Sequence, residues 1–103
     1  MRFQSITSPD AEADIDSAAR WYQRIDPNLA FRFILETLAT LRRVKTIPHQ
    51  FPVIRGTTRR ALLKRFPYSL YFYLKDDKAS VIAVVHQRRS DTVWMDRADG
   101  ASE

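Results

Sequence analysis

Apolar and polar positions change rhythm near residue 50. Before it, Ala11, Ile15, Ala18, Tyr22 and Ile25 recur at alternating spacings of four and three, the pattern of one helical stripe facing a core. Ser8-Pro9-Asp10 opens that stripe with a cap, a proline suited to the first helical position and an acid for the positive end of the dipole, which Glu12 reinforces. Asp26-Pro27 repeats the punctuation, so a second helix starts within a few residues of the first one's end and the two form an antiparallel hairpin. Ala30, Phe33, Ile34, Leu38, Leu41 and Val44 supply its apolar side. Phe31 and Leu35 widen that side, either as a broad core face or as a surface left for a partner.

The rest of the chain reads as a sheet. Arg2 to Thr7 alternates loosely and predicts a first, edge strand. Pro48 and Phe51-Pro52 end the helical pattern, and Val53 to Thr58 reads as a loop with Gly56 at a turn. From Arg59 to Arg89 consecutive strands are expected. Tyr68 to Leu74 and Val81 to Val85 are continuous apolar runs, suited to strands buried on both faces, and Lys75-Asp76-Asp77-Lys78 between them predicts a hairpin turn. Ser90 to Arg97 reads as a short tail carrying Val93, Trp94 and Met95, and residues 98–103 as frayed. The expectation is one α+β domain over residues 1–97, two-layered, with a helical hairpin on a mainly antiparallel sheet in the order β-α-α-β-β-β.

Composition narrows the chemistry. At 103 residues the chain has room for one core. It has no cysteine, which excludes disulfides, thiolate metal sites and cysteine nucleophiles and fits a reducing cytoplasm. Asp10, Glu12, Asp14 and Asp16 interrupt any apolar stretch that would make a signal peptide, and no cofactor or metal site is expected. The net charge is +5, and its distribution says more than its total. No acid lies between Glu36 and Asp76, where Arg42, Arg43, Lys45, Arg55, Arg59, Arg60, Lys64, Arg65 and Lys75 all fall. Such a run is either a solvated face or a surface for an acidic partner or nucleic acid.

Several residue groups share an order and spacing: Ala11-x-x-Asp14-Ile15 with Trp21-Tyr22, Ala30-x-Arg32-Phe33 with Leu38 to Leu41, Phe51-Pro52, Arg65-Phe66-Pro67-Tyr68-x-Leu70-x-Phe72, and His86-x-x-Arg89 with Trp94 and Arg97. In these the chain resembles the RelE/ParE superfamily of bacterial toxin–antitoxin toxins, over about residues 3 to 97, and the ParE branch more closely because its two helices are long. The resemblance implies a small cytoplasmic toxin of the growth-arrest and plasmid-stabilisation type, held harmless in a hetero-oligomer by a cognate ParD-like antitoxin with an acidic and apolar tail. ParE-like members poison DNA gyrase, and RelE-like members cut messenger RNA on the ribosome.

The two activities need different residues. Metal-independent RNA cleavage needs a proton acceptor and cations around the phosphate. His86 with Lys64, Arg65 and Arg88 is the candidate set, although no tyrosine follows Tyr73 and a histidine ending a buried strand has an ordinary structural explanation. A gyrase poison needs no catalytic group. Arg59, Arg60, Arg65, Arg88, Arg89 and Trp94 are its candidate target-binding residues, with docking of the tail on the core as the alternative for Trp94. Phe31, Leu35, Tyr71 and Tyr73 are candidate antitoxin contacts, each of them also able to serve in the core. A plain nucleic-acid-binding module is a third reading, but the tyrosines lie in a strand apolar on both faces and lack an RNA-binding signature.

Overall fold

The computed structural model describes residues 3–89 and 92–101. Ser8 and Asp26 set its first half. The Ser8 hydroxyl accepts the Ala11 N–H at 3.1 Å and opens helix α1, Pro9–Ile25. Asp26 closes α1 by donating its own N–H to Tyr22 O, then opens α2, Pro27–Thr46, by accepting the Asn28 N–H at 2.9 Å. One residue thus serves both helix ends. After a single 3-10 turn at Pro48–Gln50 the chain enters the sheet.

The sheet has five strands in the order β1-β5-β4-β3-β2: β1 Gln4–Thr7, β2 Val53–Arg55, β3 Thr58–Leu62, β4 Tyr68–Lys75 and β5 Lys78–His86. All neighbours are antiparallel except β1, which runs parallel to the start of β5. The fold is α+β with the hairpin laid over one sheet face, as the sequence predicts, with an element more on each side of the central strands. Val53 to Arg55 is a strand rather than part of a loop. Arg55 pairs with Thr58 across a two-residue turn in which Gly56 takes φ +55°, a conformation glycine reaches at no steric cost. Residues 92–101 form a helix, α3, where a tail with a frayed end was expected. Ser90, Asp91 and residues 102 and 103 of that expected tail, and Arg2 of the first strand, lie outside the described residues.

Both sheet faces are covered. On the hairpin side Phe33 and Val44 meet Leu70, Phe72, Val81 and Val84, all fully buried, and the rings of Tyr22, Phe33, Phe66 and Tyr68 pack at centroid distances of 5.1 to 6.2 Å. On the other side Trp94 of α3 stacks on Tyr71, with centroids 4.9 Å apart and planes 9° from parallel, over Ile82, Ala83 and Val85. The two-sided burial legible in β4 and β5 is therefore divided between two separate helical covers.

The predicted helical stripes hold in part. Ile25 and Leu38, expected to face the core, are 59% and 52% exposed. In α2 the buried line is Ala30, Phe33, Thr37, Thr40 and Val44, rotated away from Leu38. Thr37 and Thr40 can be buried because each hydroxyl donates to a carbonyl one turn back, Phe33 O at 2.8 Å and Glu36 O at 2.9 Å. Apolarity alone could not identify them. The result is an outward stripe of Phe31, Leu35 and Leu38, each at least half exposed.

Candidate functional site

Strand register decides which cations meet. Tyr68, the first residue of β4, pairs with His86, the last of β5, and the Gln87 N–H donates to Pro67 O at 2.8 Å. The β3–β4 loop and the segment after β5 therefore lie together at one sheet end. Lys64, Arg65, Arg88 and Arg89 are all exposed there, with half-buried His86 among them. Arg65 holds φ +69°, a left-handed conformation that costs a non-glycine residue about 1–3 kcal/mol.

The other predicted contacts do not join this group. Arg59 pairs with Phe72, well inside β3, and its guanidinium donates to Phe51 O at 2.7 Å and His49 O at 3.4 Å. It braces the chain entering β2. Arg60 is exposed opposite Tyr71, in the middle of the strand. Trp94 is 4% and Tyr71 4% exposed, so while α3 is docked neither presents a surface; Tyr73 beside them is half-buried. Phe31 and Leu35 do present one, at 63% and 50% exposed.

His86 is oriented rather than free. Its Nδ1 accepts the Arg88 backbone N–H at 3.1 Å, which assigns the proton of the neutral ring to Nε2, and the ring stands edge-on to Tyr68 at 5.2 Å. Burial raises the Tyr68 phenol above its ordinary value, partly offset by the Arg89 guanidinium. Around this corner lies an open cleft of about 430 Å³ between α1 and the end of β5, lined among others by Ser17, Trp21, Tyr68, His86 and Arg89. Sequence reasoning did not select Trp21, Tyr68 or Ser17 as site residues. Trp21 carried a signal: it falls off the Ala11-to-Ile25 stripe, and a tryptophan off the core face has to lie on the surface, where it is 54% exposed.

The cleft exists because β1 is short. Ser8 turns the chain into α1 after four strand residues, so β1 pairs with β5 only from Lys78 to Val81. Past that point side chains stand in for a neighbouring strand. Asp14 of α1 accepts the Val84 N–H at 2.9 Å, and Arg97 of α3 donates to Ile82 O at 3.0 Å. The two join in a fork, with Nη1 to Oδ2 at 2.6 Å and Nη2 to Oδ1 at 3.2 Å. The bond to Asp14 raises the Arg97 pKa above its ordinary value, against some desolvation.

Among the described residues no group of three or more His, Cys, Asp or Glu side chains could hold a metal ion, and no helix is long and apolar enough to cross a membrane. No protein-family profile matches the sequence, and no curated protein is significantly similar to it. Among solved structures, a chain from the chromosomal ParDE TA system of P. aeruginosa has the same fold, with a TM-score of 0.74 at 18% identity, covering 82% of this chain and 96% of that one.

Proposed function

We propose that this chain is the toxin of a type II toxin–antitoxin pair, that it acts in the cytoplasm by binding DNA gyrase and trapping its cleaved-DNA state, and that a cognate antitoxin holds it inactive. The observation that carries the reading is the fold, shared with a chain of a ParDE system and matched by the ParE-like order of residue groups. Two surfaces suit the two partners. The outward stripe of Phe31 and Leu35, extended by Leu38, fits an amphipathic antitoxin segment. The cationic sheet end, with Arg65, Arg88 and Arg89, fits an acidic protein surface or DNA at the gyrase gate. Arg60 adds a further exposed cation, and Tyr71 and Tyr73 reach an antitoxin only if α3 yields.

Gyrase supercoiling with the purified protein added, followed by a denaturing step that reveals double-strand breaks, tests the target. Inhibition with cleaved DNA is the expected result, and Arg65→Glu with Arg88→Glu should abolish it. Ribosome-dependent cleavage of messenger RNA is the second reading. It is favoured by the proximity of His86 to Lys64, Arg65 and Arg88. Folded protein that arrests growth but leaves gyrase untouched would move the reading there, with His86→Ala the first variant to assay for loss of cleavage.

A further inference from the structure

The outer side of α2 is an apolar surface flanked by charges of both signs. Phe31, Leu35 and Leu38 are 63%, 50% and 52% exposed, and their spacings of four and three place them on one stripe, directed away from the buried line of Phe33, Thr37, Thr40 and Val44. Arg42, four residues on, is exposed and ends the apolar part. Phe31 is also one wall of an open groove between α1 and α2, lined by Ala19, Ala30 and Ile34 among others. Singly exposed apolar side chains are ordinary, but three along one helical stripe form a seam of the kind that meets another helix. The flank decides which helix. Arg32, exposed, and Glu36, half-buried, stand one turn apart on the same side of the stripe. Glu36 Oε1 accepts the Lys64 N–H at 3.2 Å, and neither side chain forms an ion pair among the described residues.

We propose that two copies of this chain associate through α2, antiparallel across a two-fold axis at Leu35, with Phe31 of each copy packed on Leu38 of the other. The charges select this arrangement. Turning α2 end for end about Leu35 sets position 31 opposite 38 and brings Arg32 of each copy beside Glu36 of the other, two opposite-charge pairs from one symmetry operation. A parallel copy would instead set Arg32 against Arg32. The antiparallel arrangement also places the two helix dipoles favourably, each N-terminus toward the other's C-terminus. The groove beside Phe31 gives the second copy's Leu38 an apolar wall. One helix stripe per copy falls short of the roughly 1,200–2,000 Å² that stable interfaces bury, so the dimer is reversible and forms at about 10–100 μM. The stripe is the one assigned above to an antitoxin, so self-association and antitoxin binding there exclude each other. The inference does not depend on that reading, because the purified chain tests it alone.

Analytical ultracentrifugation of the full chain from about 5 to 300 μM should show a monomer–dimer equilibrium. Leu35→Glu sets like charges at the axis and should weaken it about tenfold or more. Arg32→Glu and Glu36→Arg should each weaken it about fivefold, and the double variant, which restores both pairs with the signs exchanged, should return to within about twofold of the parent. The chain has no cysteine, so introduced ones report the geometry directly. On oxidation Leu35→Cys should link to its own copy, Phe31→Cys should link to Leu38→Cys in a mixture, and Leu38→Cys should not link to itself. Circular dichroism confirms that each variant is folded. A chain still monomeric at about 300 μM would overturn the inference. So would a dimer indifferent to Leu35→Glu, self-linking of Leu38→Cys, a double charge variant weaker than either single one, or a monomer whose stripe takes up anionic phospholipid vesicles instead. Growth arrest on expression of the chain alone tests the toxin reading separately. Its absence would remove that reading and leave the dimer result standing.

Discussion

Arg97 and Asp14 take the place of a missing strand, so each is expected to matter more than a surface ion pair. Their side chains are only 24% and 13% exposed. Arg97→Met leaves Asp14 with a half-buried charge and the Ile82 carbonyl without its donor, which should lower the unfolding free energy by about 1–3 kcal/mol, read as a reduced urea midpoint at unchanged slope. At Arg65 the expected sign differs. Arg65→Gly relieves the left-handed strain at φ +69° but adds chain entropy, so stability should stay within about 1 kcal/mol of the parent, while on the proposed function gyrase inhibition should weaken. The phenols of Tyr22 and Tyr68 offer a third test. Burial raises both above their ordinary value of 10.0, so the unfolded chain ionises first. The stabilisation they contribute is complete below pH 10 and is lost as pH rises through the raised values, which an alkaline urea series with tyrosinate absorbance would track.

At the scale of elements α3 is the instructive case. Val93, Trp94 and Met95 lie among Asp96, Arg97 and Asp99, with Gly100 beyond, so the segment lacks the clean helical stripe of α1. It is held to the sheet face by the Trp94–Tyr71 stack, although the indole Nε1–H is buried with no hydrogen-bond acceptor among the described residues. That orphaned donor limits what the docking contributes. Trp94→Ala should still cost about 3–4 kcal/mol by loss of buried ring area. In a Trp21→Phe background the remaining tryptophan, Trp94, should emit at short wavelength and resist acrylamide, and undocking of α3 by a partner would red-shift it. The helical hairpin, by contrast, was readable because Ser8-Pro9 and Asp26-Pro27 act locally, within one turn of the residues they cap.

Over the whole molecule, the net charge of +5 is less informative than the placement of four exposed cations, Lys64, Arg65, Arg88 and Arg89, at the end of the sheet where β4 begins and β5 ends. Association with an acidic partner should be salt-dependent, its on-rate falling about tenfold or more between roughly 50 and 500 mM salt, because exposed cations are screened within about a Debye length. An on-rate that ignores salt would argue that the apolar stripe of Phe31, Leu35 and Leu38 dominates the encounter. Arg59 keeps its charge but lies away from this sheet end, opposite Phe72, with its guanidinium directed at the Phe51 carbonyl.

Caps, strand-length apolar runs and turn residues are local properties, and from them came the helical hairpin, the β4–β5 hairpin and the expectation that both faces of those strands are buried. Which side of α2 turns outward was not local, because Thr37 and Thr40 become core residues only through hydrogen bonds to their own helix. The site was less legible still. Lys64, Arg65, His86, Arg88 and Arg89 fall at one sheet end because β3, β4 and β5 pair in one register, which separates Arg59 and Arg60 from them. The cleft arises from a difference in strand length, four residues in β1 against nine in β5, which no single segment contains. Proximity across a sheet is a property of pairing, and pairing is settled by the packed chain as a whole.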